Sequence, residues 1–442
     1  MRAAFHTLGC KVNQYETEAL KEAFLARGWE IVDAGEAADV YIINTCTVTA
    51  LADRKSRQFI RRAKKRCPGS VVAVTGCYVQ SVPRQAAALA EADLLVGVAD
   101  KMRLPEYVEE FLRCRRRFVR VRPLKEEMSY AECGSITSMD SRTRACLKIE
   151  EGCDRRCSYC VIPYVRGAVR SRAPEAVLDE ARQLLAAGFR ELVLTGINTA
   201  LYDDLPGLLA RLDRLDGDFR VRLSSLEPTV VNVDRVTELL SAKRLCHHLH
   251  LSLQSGSDRI LRAMNRPYTA DDFFRIVEAL RRFDPSYGIT TDLIVGFPGE
   301  TEADFAATLA AVRRARFARV HVFRYSPRPH TAAAELPGQI PPQVKKERAQ
   351  RLAAAARETA DAFADSCRGQ EERVLFESAA GAEQQQAAAD GLRSGYSGSY
   401  LRVYAPAAEA PADRFRRVRL GPRYRDGVRG EVLGNGKEEK RR

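Results

Sequence analysis

The sequence predicts an α/β protein in three parts: an N-terminal parallel α/β domain, a central incomplete (β/α)6 barrel, and a small C-terminal all-β domain. Three observations predict it. Strand-like and helix-like runs alternate over residues 1–100 and again from Ala145 to about Arg328, the pattern of parallel βαβ units. The second alternation holds six strand candidates, two short of a closed eight-fold barrel. Beyond a long amphipathic stretch the helical period ends and only strand-like runs remain.

In order along the chain, AAFHTLG reads as a strand, ETEALKEAFLARG as a helix, VYIINT as a strand before a basic helix, and SVVAVTG as a strand before another helix. Each strand runs directly into a cysteine, Cys10, Cys46 and Cys77. Carboxyl ends of parallel strands lie along one edge, where open α/β sheets bind ligands, so topology brings the three thiols together. A single buried cysteine is more often a small hydrophobe, but three at equivalent strand ends favour a shared site. Residues 101–143 are basic, with Arg115, Arg116 and Arg117 in one run, lack a sustained hydrophobic period and read as a linker.

Residues 144–368 form the barrel with its trailing helix. The six strands are ACLKIE, ELVLTG, FRVRLSS, HLHLSL, ITTDLIVG and ARVHVF. Among the helices between them, PEAVLDEARQLLAAG has Pro174 to pre-set its first turn and Gly188 as a left-handed stop. Thr301 and Asp304 make a capping box before FAATL. KKERAQRLAAAARETADAFAD is the trailing amphipathic stretch. Residues 369–435 carry the strands ERVLFES, YLRVYAP, RFRRVRL and VRGEVLG, with GAEQQQAAADG as a loop, and residues 436–442 are a charged tail.

Bulk properties narrow the class. Twelve cysteines in 442 residues are too sparse for a secreted disulfide scaffold, and clustered thiols in a reducing compartment mean metal or catalysis. The net charge of +13 favours a polyanionic partner such as nucleic acid. MRAAFHTLGC has no apolar export signal, and no run of about 18 apolar residues occurs, so the expectation is a cytoplasmic protein with no membrane partner.

The sharpest local signal is EGCDRRCSYC, in which Cys153, Cys157 and Cys160 give C-x3-C-x2-C at the end of the first central strand. Three thiolates on one loop suit a cubane iron-sulfur cluster whose fourth iron stays open to a small molecule. Closed zinc sites want four ligands, and Cys146 is the available fourth thiol for that alternative. Further polar groups fall at barrel strand ends: Gly196 and Asn198 in LTGINT, Glu227 in SSLEP, Gln254 and Ser255 in LSLQSG, and Asp292 in TTDLIVG. Strand ends of such barrels collect ligand contacts, so these are candidates for cofactor or substrate binding, with ordinary turn and capping chemistry as the competing reading.

C-x3-C-x2-C with Tyr159 before its last cysteine, on the first strand of a six-unit barrel, resembles the radical S-adenosylmethionine superfamily. That resemblance implies S-adenosylmethionine chelated at the open iron and cleaved by one electron to a 5′-deoxyadenosyl radical. Together with LGCKVNQYETE, NTCTV and TGCYVQ, it makes the whole chain similar to the methylthiotransferase family, with an N-terminal cluster domain, a radical domain and a C-terminal TRAM domain. The resemblance implies two 4Fe-4S clusters, one on Cys153, Cys157 and Cys160 and an auxiliary one on Cys10, Cys46 and Cys77. It further implies S-adenosylmethionine in two roles, as methyl donor and radical source, together with an electron donor and a sulfur source. The other six cysteines, Cys67, Cys114, Cys133, Cys146, Cys246 and Cys367, match no ligand position of the family.

Within that family LGCKVNQYETEAL, DRRCSYCVIPYVRG and HLHLSLQSGSD are most similar to the branch that converts N6-threonylcarbamoyladenosine, beside the tRNA anticodon, to its 2-methylthio derivative. Isopentenyladenosine or a ribosomal-protein aspartate are the alternative targets, and a zinc-stabilised RNA-binding protein is the alternative without catalysis. Tyr396, Tyr400 and Tyr404 with Arg393, Arg402, Arg414, Arg416, Arg417 and Arg419 suit RNA stacking and phosphate contacts, although the even spacing of Tyr400 and Tyr404 equally suits a core-facing pair. One departure stands in Ser326-Pro327-Arg328-Pro329-His330-Thr331, where His330 occupies a position commonly glycine in the family.

Overall fold

The computed structural model describes residues 1–124, 129–134, 136, 143–228, 232–378 and 382–434; the expected charged tail and part of the expected linker lie outside them. The first domain is a six-stranded parallel sheet. Its strands are β1 (Arg2–Thr7), β2 (Glu30–Val32), β3 (Val40–Thr45), β4 (Val71–Gly76), β5 (Leu94–Val96) and β6 (Phe118–Arg120), in the order β2-β1-β3-β4-β5-β6. Both faces are covered, as parallel strands require. Ala3, Phe5, Val40 and Ile42 pack with Leu20, Phe24, Tyr107 and Phe111, while Ala4, Tyr41, Ile43 and Val72 meet Ile60 and Ala63 on the other side.

This sheet extends further than the sequence reading placed it. The stretch read as an irregular linker from residue 101 contains the helix Leu104–Cys114, and β6 follows as the sheet's sixth strand. Leu104, Tyr107, Val108 and Phe111 form a buried i, i+3, i+4, i+7 stripe, short enough to be masked by the arginine run behind it. Arg117 itself is used structurally, its guanidinium donating to the carbonyls of Ala92, Ala87 and Leu89.

The central domain follows with β7 (Arg144–Lys148), a short antiparallel pair β8 (Glu150–Glu151) and β9 (Arg170–Ser171), then β10 (Glu191–Thr195), β11 (Arg220–Leu223), β12 (Ser225–Leu226), β13 (His248–Leu251), β14 (Gly288–Val295) and β15 (Arg319–Arg324). Two parallel ladders, β11-β10-β7 and β12-β13-β14-β15, meet where β11 passes into β12 at Ser224. The result is six parallel staves, matching the six strands expected, with β7 and β15 as free edges. Alternate residues such as Ala145, Leu147, Leu192, Leu194, Leu249 and Leu251 face the helices in one large core. The opposite face is polar, with Arg144, Glu191, Arg222, His248, His250, Asp292 and His321, where a closed barrel would be filled by branched apolar side chains.

The C-terminal strands β16 (Glu371–Phe376), β17 (Leu392–Tyr396), β18 (Arg402–Pro406), β19 (Phe415–Tyr424) and β20 (Gly427–Val432) close into a five-stranded barrel, ordered β16-β17-β18-β20-β19. Its interior is Val374, Phe376, Val403, Ala405, Val418, Leu420 and Val428, plugged by Phe363 and Cys367 from the helix Pro342–Ser366 and the turn after it. Two expectations are corrected. The strand β17 was absent from the four read from sequence, and GAEQQQAAADG is not a loop but carries the helix Ala382–Ala389. Alanine and glutamine are strong helix formers, and the helix docks through Ala387 against Leu392 and Tyr404 and through buried Gln384, which donates to the Ser394 hydroxyl at 2.8 Å.

The domains interlock. The helix Lys11–Leu25 of the first domain lies against β7, and Tyr15 donates to Glu180 of the central domain at 2.9 Å. The small barrel seals the amino-terminal end of the large one. Arg220 donates to the Tyr396 carbonyl at 2.8 Å, and Arg222 to the carbonyls of Ser397 and Gly398, each at 3.1 Å.

Candidate active site: two cysteine triads and the chamber between them

Cys10, Cys46 and Cys77 follow β1, β3 and β4, three neighbouring staves of the first sheet, so their convergence is set by strand order. Asn13 ties two of these strand ends together, donating to the carbonyls of Leu8 at 2.8 Å and Thr45 at 2.9 Å. Gly9 makes the approach possible. It sits at φ +103°, and a β-carbon there would lie 2.8 Å from the Cys46 Cβ and 2.9 Å from its Sγ. Burial pushes the Cys46 thiol up to about 12, with Cys77 and Cys10 adding to the shift. The surrounding protein also raises Cys10, although its side chain is exposed, and Arg166 opposes the rise. Thiols this close cannot ionise together without a cation between them, and the donor set fits an iron-sulfur cluster.

The second triad is held on the loop after β8. Gly152, at φ +83°, turns the chain where a β-carbon would sit 1.9 Å from the Ala168 carbonyl oxygen. The Cys153 amide donates to Gly167 and the Cys160 amide to Cys157, each at 3.0 Å. Ser158 is anchored to the turn at Ala263 and Met264, and the Tyr159 hydroxyl accepts from Arg266 at 2.8 Å. Burial lifts Cys153 and Cys160 to about 12 each and raises Cys157. Cys146, the fourth thiol that the zinc alternative needs, lines a separate cavity lower in the barrel.

The expected strand-end residues divide. Gly196 packs its backbone on Glu150, where a β-carbon would come within 2.4 Å of the carboxylate. Asn198 donates its amide N–H to Glu150 at 2.9 Å and its side chain to Glu227 at 3.0 Å. Glu227 is buried between Arg155 at 3.1 Å and Arg266 at 2.9 Å, which places it beside the second triad. Gln254, at φ +67°, bridges to β14 and borders a recess of about 190 Å³ with Asp292, Tyr159, Cys160, Val48 and Thr49. That recess therefore touches the second triad on one wall and the segment after Cys46 on the other. Ser255 is the exception: fully buried, it faces Thr308 and the Ser257 amide and holds a turn.

Buried oxygens without a hydrogen-bond partner remain at Glu150 Oε1 and Asn198 Oδ1. Such acceptors fit the amino group and hydroxyls of S-adenosylmethionine. Glu150 was not anticipated from sequence. Burial, aided by Glu151, raises its carboxyl to about 8.

A buried ion cluster was also missed. The Arg166 guanidinium contacts Glu16 at 2.6 Å, Glu151 at 3.0 Å and the Cys77 Sγ at 3.3 Å, and pairs with Asn13. Lys148 reaches Glu16 at 3.1 Å and also Glu151, and Lys101 pairs with Glu16. Among the described residues three cations face two carboxylates across the join of the first two domains, and Arg166 turns the excess positive charge toward the Cys77 sulfur. Its only sequence signal is that Asn13, Glu16 and Thr17 form a polar stripe on a helix face that is buried.

The C-terminal aromatics point inward rather than toward solvent. Tyr396 stacks on Tyr400 at 4.9 Å, and Tyr404 packs edge-on to Tyr424 and donates to Asp426. Arg417 and Arg419 pair with Glu371, and Arg402 with Tyr396 and Asp426. His330 takes φ +67°, in the left-handed region that favours glycine, while Arg328 beside it locks the loop to Thr47 at 2.7 Å and to Asp53 at 2.5 Å.

Comparison with known proteins agrees with this geometry. Residues 147–312 match the radical SAM superfamily and residues 2–97 the uncharacterized protein family UPF0004. The threonylcarbamoyladenosine tRNA methylthiotransferase MtaB of Bacillus subtilis is 39% identical over 425 residues, covering 94% of this chain and 93% of its own. MtaB of Aquifex aeolicus is 39% identical over 85% of this chain and 92% of its own. The tRNA-2-methylthio-N(6)-dimethylallyladenosine synthase of Moorella thermoacetica is 35% identical over 94% of each. Among solved structures, the radical S-adenosylmethionine methyltransferase TsrM of Kitasatospora setae shares the fold at TM-score 0.57 and 16% identity, covering 75% of this chain and 74% of that one. With the second triad at one wall of the recess, the segment after Cys46 at the other, and relatives of this similarity along nearly its whole length, the chain belongs to the radical S-adenosylmethionine methylthiotransferase family.

Proposed function

We propose that this protein is a tRNA methylthiotransferase that converts N6-threonylcarbamoyladenosine beside the anticodon into 2-methylthio-N6-threonylcarbamoyladenosine. The observation that carries the reading is the recess with Cys160 on one wall and the Cys46 segment on the other, since methylthiolation needs a radical source and a sulfur carrier to reach one substrate atom. Relatives named for threonylcarbamoyladenosine, at 38–39% identity, support that substrate over isopentenyladenosine. When bound, the two clusters and S-adenosylmethionine supply the electron, sulfur, methyl group and hydrogen-abstracting radical that substitution at an unactivated C–H bond requires.

The chain's own residues do the rest. Cys10, Cys46 and Cys77 hold the auxiliary cluster, and Cys153, Cys157 and Cys160 the radical cluster. Gly196, Asn198, Glu227, Gln254 and Asp292, with Glu150, orient S-adenosylmethionine, and Arg166 offsets the negative charge at Cys77. The small barrel serves as the TRAM-like domain. For RNA phosphates the favoured surface is the helix Ala50–Arg66, which begins beside the recess and exposes Arg54, Lys55, Arg61, Arg62, Lys65 and Arg66. An anticodon-loop base is presented without breaking base pairs, so no unpairing energy is spent. No helix among the described residues is long and apolar enough to cross a membrane, and we place the protein in the cytoplasm with its tRNA.

Nucleoside mass spectrometry of tRNA from a host lacking its own enzyme tests the reading. The intact chain should yield the 2-methylthio product and Cys153→Ala none. Unmodified threonylcarbamoyladenosine beside a folded, iron-loaded protein would refute it.

A further inference from the structure

Below the recess lies a second cavity of about 280 Å³, built by all three domains. Lys11 and Gln14 enter from the first domain, Arg144 and Arg222 from barrel strands, and Glu377 and Tyr400 from the small barrel. Its charge is unbalanced. Arg144 pairs with Glu377 at 3.0 Å, and Arg220 and Arg222 share Glu191 at 2.6 and 2.9 Å. With Lys11, four cations stand against Glu377 and Glu191 among the described residues, and Asp292 higher on the inner face is a third carboxylate that feels Lys11. The Lys11 ammonium has no ion-pair or hydrogen-bond partner among the described residues, and its side chain is exposed toward the cavity. The field is felt by Tyr400: burial should raise its phenol, yet Arg144, Lys11 and Arg222 hold it below its usual value. His248, facing the same group, is kept neutral by burial and by Arg222.

A line of polar side chains on the inner face of the barrel runs from the recess toward the cavity. Asp292, on the recess wall, lies 3.3 Å from His250 Nε2; His250 Nδ1 lies 3.0 Å from the Thr290 hydroxyl, which is 2.9 Å from His248 Nε2. The His248 ring stacks on Tyr400 at 4.6 Å. Thr290 is two residues down β14 from Asp292, a descent of about 6.6 Å. For a purine held in the recess with its C2 between the triads, an N6 substituent laid along these polar side chains points its terminal carboxylate at the cations of the lower cavity.

We propose that the lower cavity is an anion subsite that receives the carboxylate of the substrate's N6 substituent, with Lys11 as its main contact and Arg144 as the second. The proposal rests on the reading of the reaction given above and adds the basis of its substrate choice. An apolar substituent would cover the Lys11 ammonium without supplying a counter-charge, and that is how the site discriminates.

The test uses the reconstituted full chain and anticodon stem-loops carrying either N6-threonylcarbamoyladenosine or its carboxamide, with kcat and KM measured by mass spectrometry. The wild type should favour the acid over the amide by roughly tenfold to a hundredfold, mostly in KM. Lys11→Met should bring the two substrates within about threefold, and Lys11→Arg should restore the preference. Equal use of acid and amide by the wild type, or an equal loss on both in Lys11→Met, would overturn the subsite while leaving the reaction intact. Conversion of neither stem-loop by an iron-loaded wild type would instead overturn the reaction and the subsite with it. If Lys11→Met loads less iron, Arg144→Gln decides the point from β7, away from the cluster cysteines, with the same two outcomes.

Discussion

Replacing Arg166 by methionine is the most informative perturbation of the two-domain join. Its guanidinium contacts Glu16, Glu151, Asn13 and the Cys77 sulfur, and it is wholly buried. With it, three cations oppose two carboxylates among the described residues; without it, Lys101 and Lys148 only balance Glu16 and Glu151, and no excess charge among them remains to offset thiolates. Breaking a buried ion network by removing one partner costs about 3–5 kcal/mol. That cost falls on the contact between domains and on the cluster at Cys77. The expected outcome is selective loss of the auxiliary cluster, with iron falling from about eight to about four per chain. Cleavage of S-adenosylmethionine should continue while methylthiolation stops. Iron analysis, electron paramagnetic resonance and product mass spectrometry read the three quantities on one sample. Arg166→Lys, with charge but no planar fork, should be intermediate. Full iron content with wild-type methylthiolation in Arg166→Met would refute the reasoning.

Three further outcomes are expected. Cys153→Ala should abolish 5′-deoxyadenosine formation and Cys46→Ala should spare it while abolishing methylthiolation; chromatography of the two products separates the triads. Gly9→Ala, whose methyl would lie 2.8 Å from Cys46 Cβ in a φ +103° conformation, should reduce auxiliary-cluster iron at least as much as Cys10→Ala does, measured against sulfide content. Glu150 gives a pH signature in the cluster-free chain. Its folded-state value of about 8 exceeds the ordinary 4.5, so the native state keeps a proton that the unfolded state has lost, and stability falls as pH rises from about 4.5 to about 8. The full effect is at most about 5 kcal/mol, and Glu150→Gln should flatten the slope in urea unfolding between those limits.

What could be read from sequence was what is local or repeated at strand ends. The six barrel staves and both cysteine triads announce themselves through runs of a few residues and a spacing that topology converts into proximity. The misses have a common cause. Glu16 is 85, 132 and 150 residues from Lys101, Lys148 and Arg166, and no period or spacing links partners so far apart. The helix Leu104–Cys114 was hidden by adjacent charge, and the tyrosines of the small barrel could be assigned to its surface because a strand's alternation fixes two faces without saying which one is inside.

The interior polarity of the barrel explains why three domains are needed around one site. A barrel lined by Arg144, Glu191, Arg222, His248 and Asp292 cannot be stabilised by its own packing, since each group needs a partner or a ligand once removed from water. The small barrel supplies such partners from below, through the carbonyls of Tyr396, Ser397 and Gly398 and the carboxylate of Glu377. The first domain supplies them from the open side, where Glu16 meets Lys148 and Arg166. Lys11 is the one ammonium this arrangement leaves facing the cavity with no partner among the described residues, although it directly follows a cysteine of the first triad. A charge left unsatisfied by a fold that satisfies its neighbours is where a charged ligand gains most, and its place beneath the triads ties the choice of substrate to the position of the reacting atom.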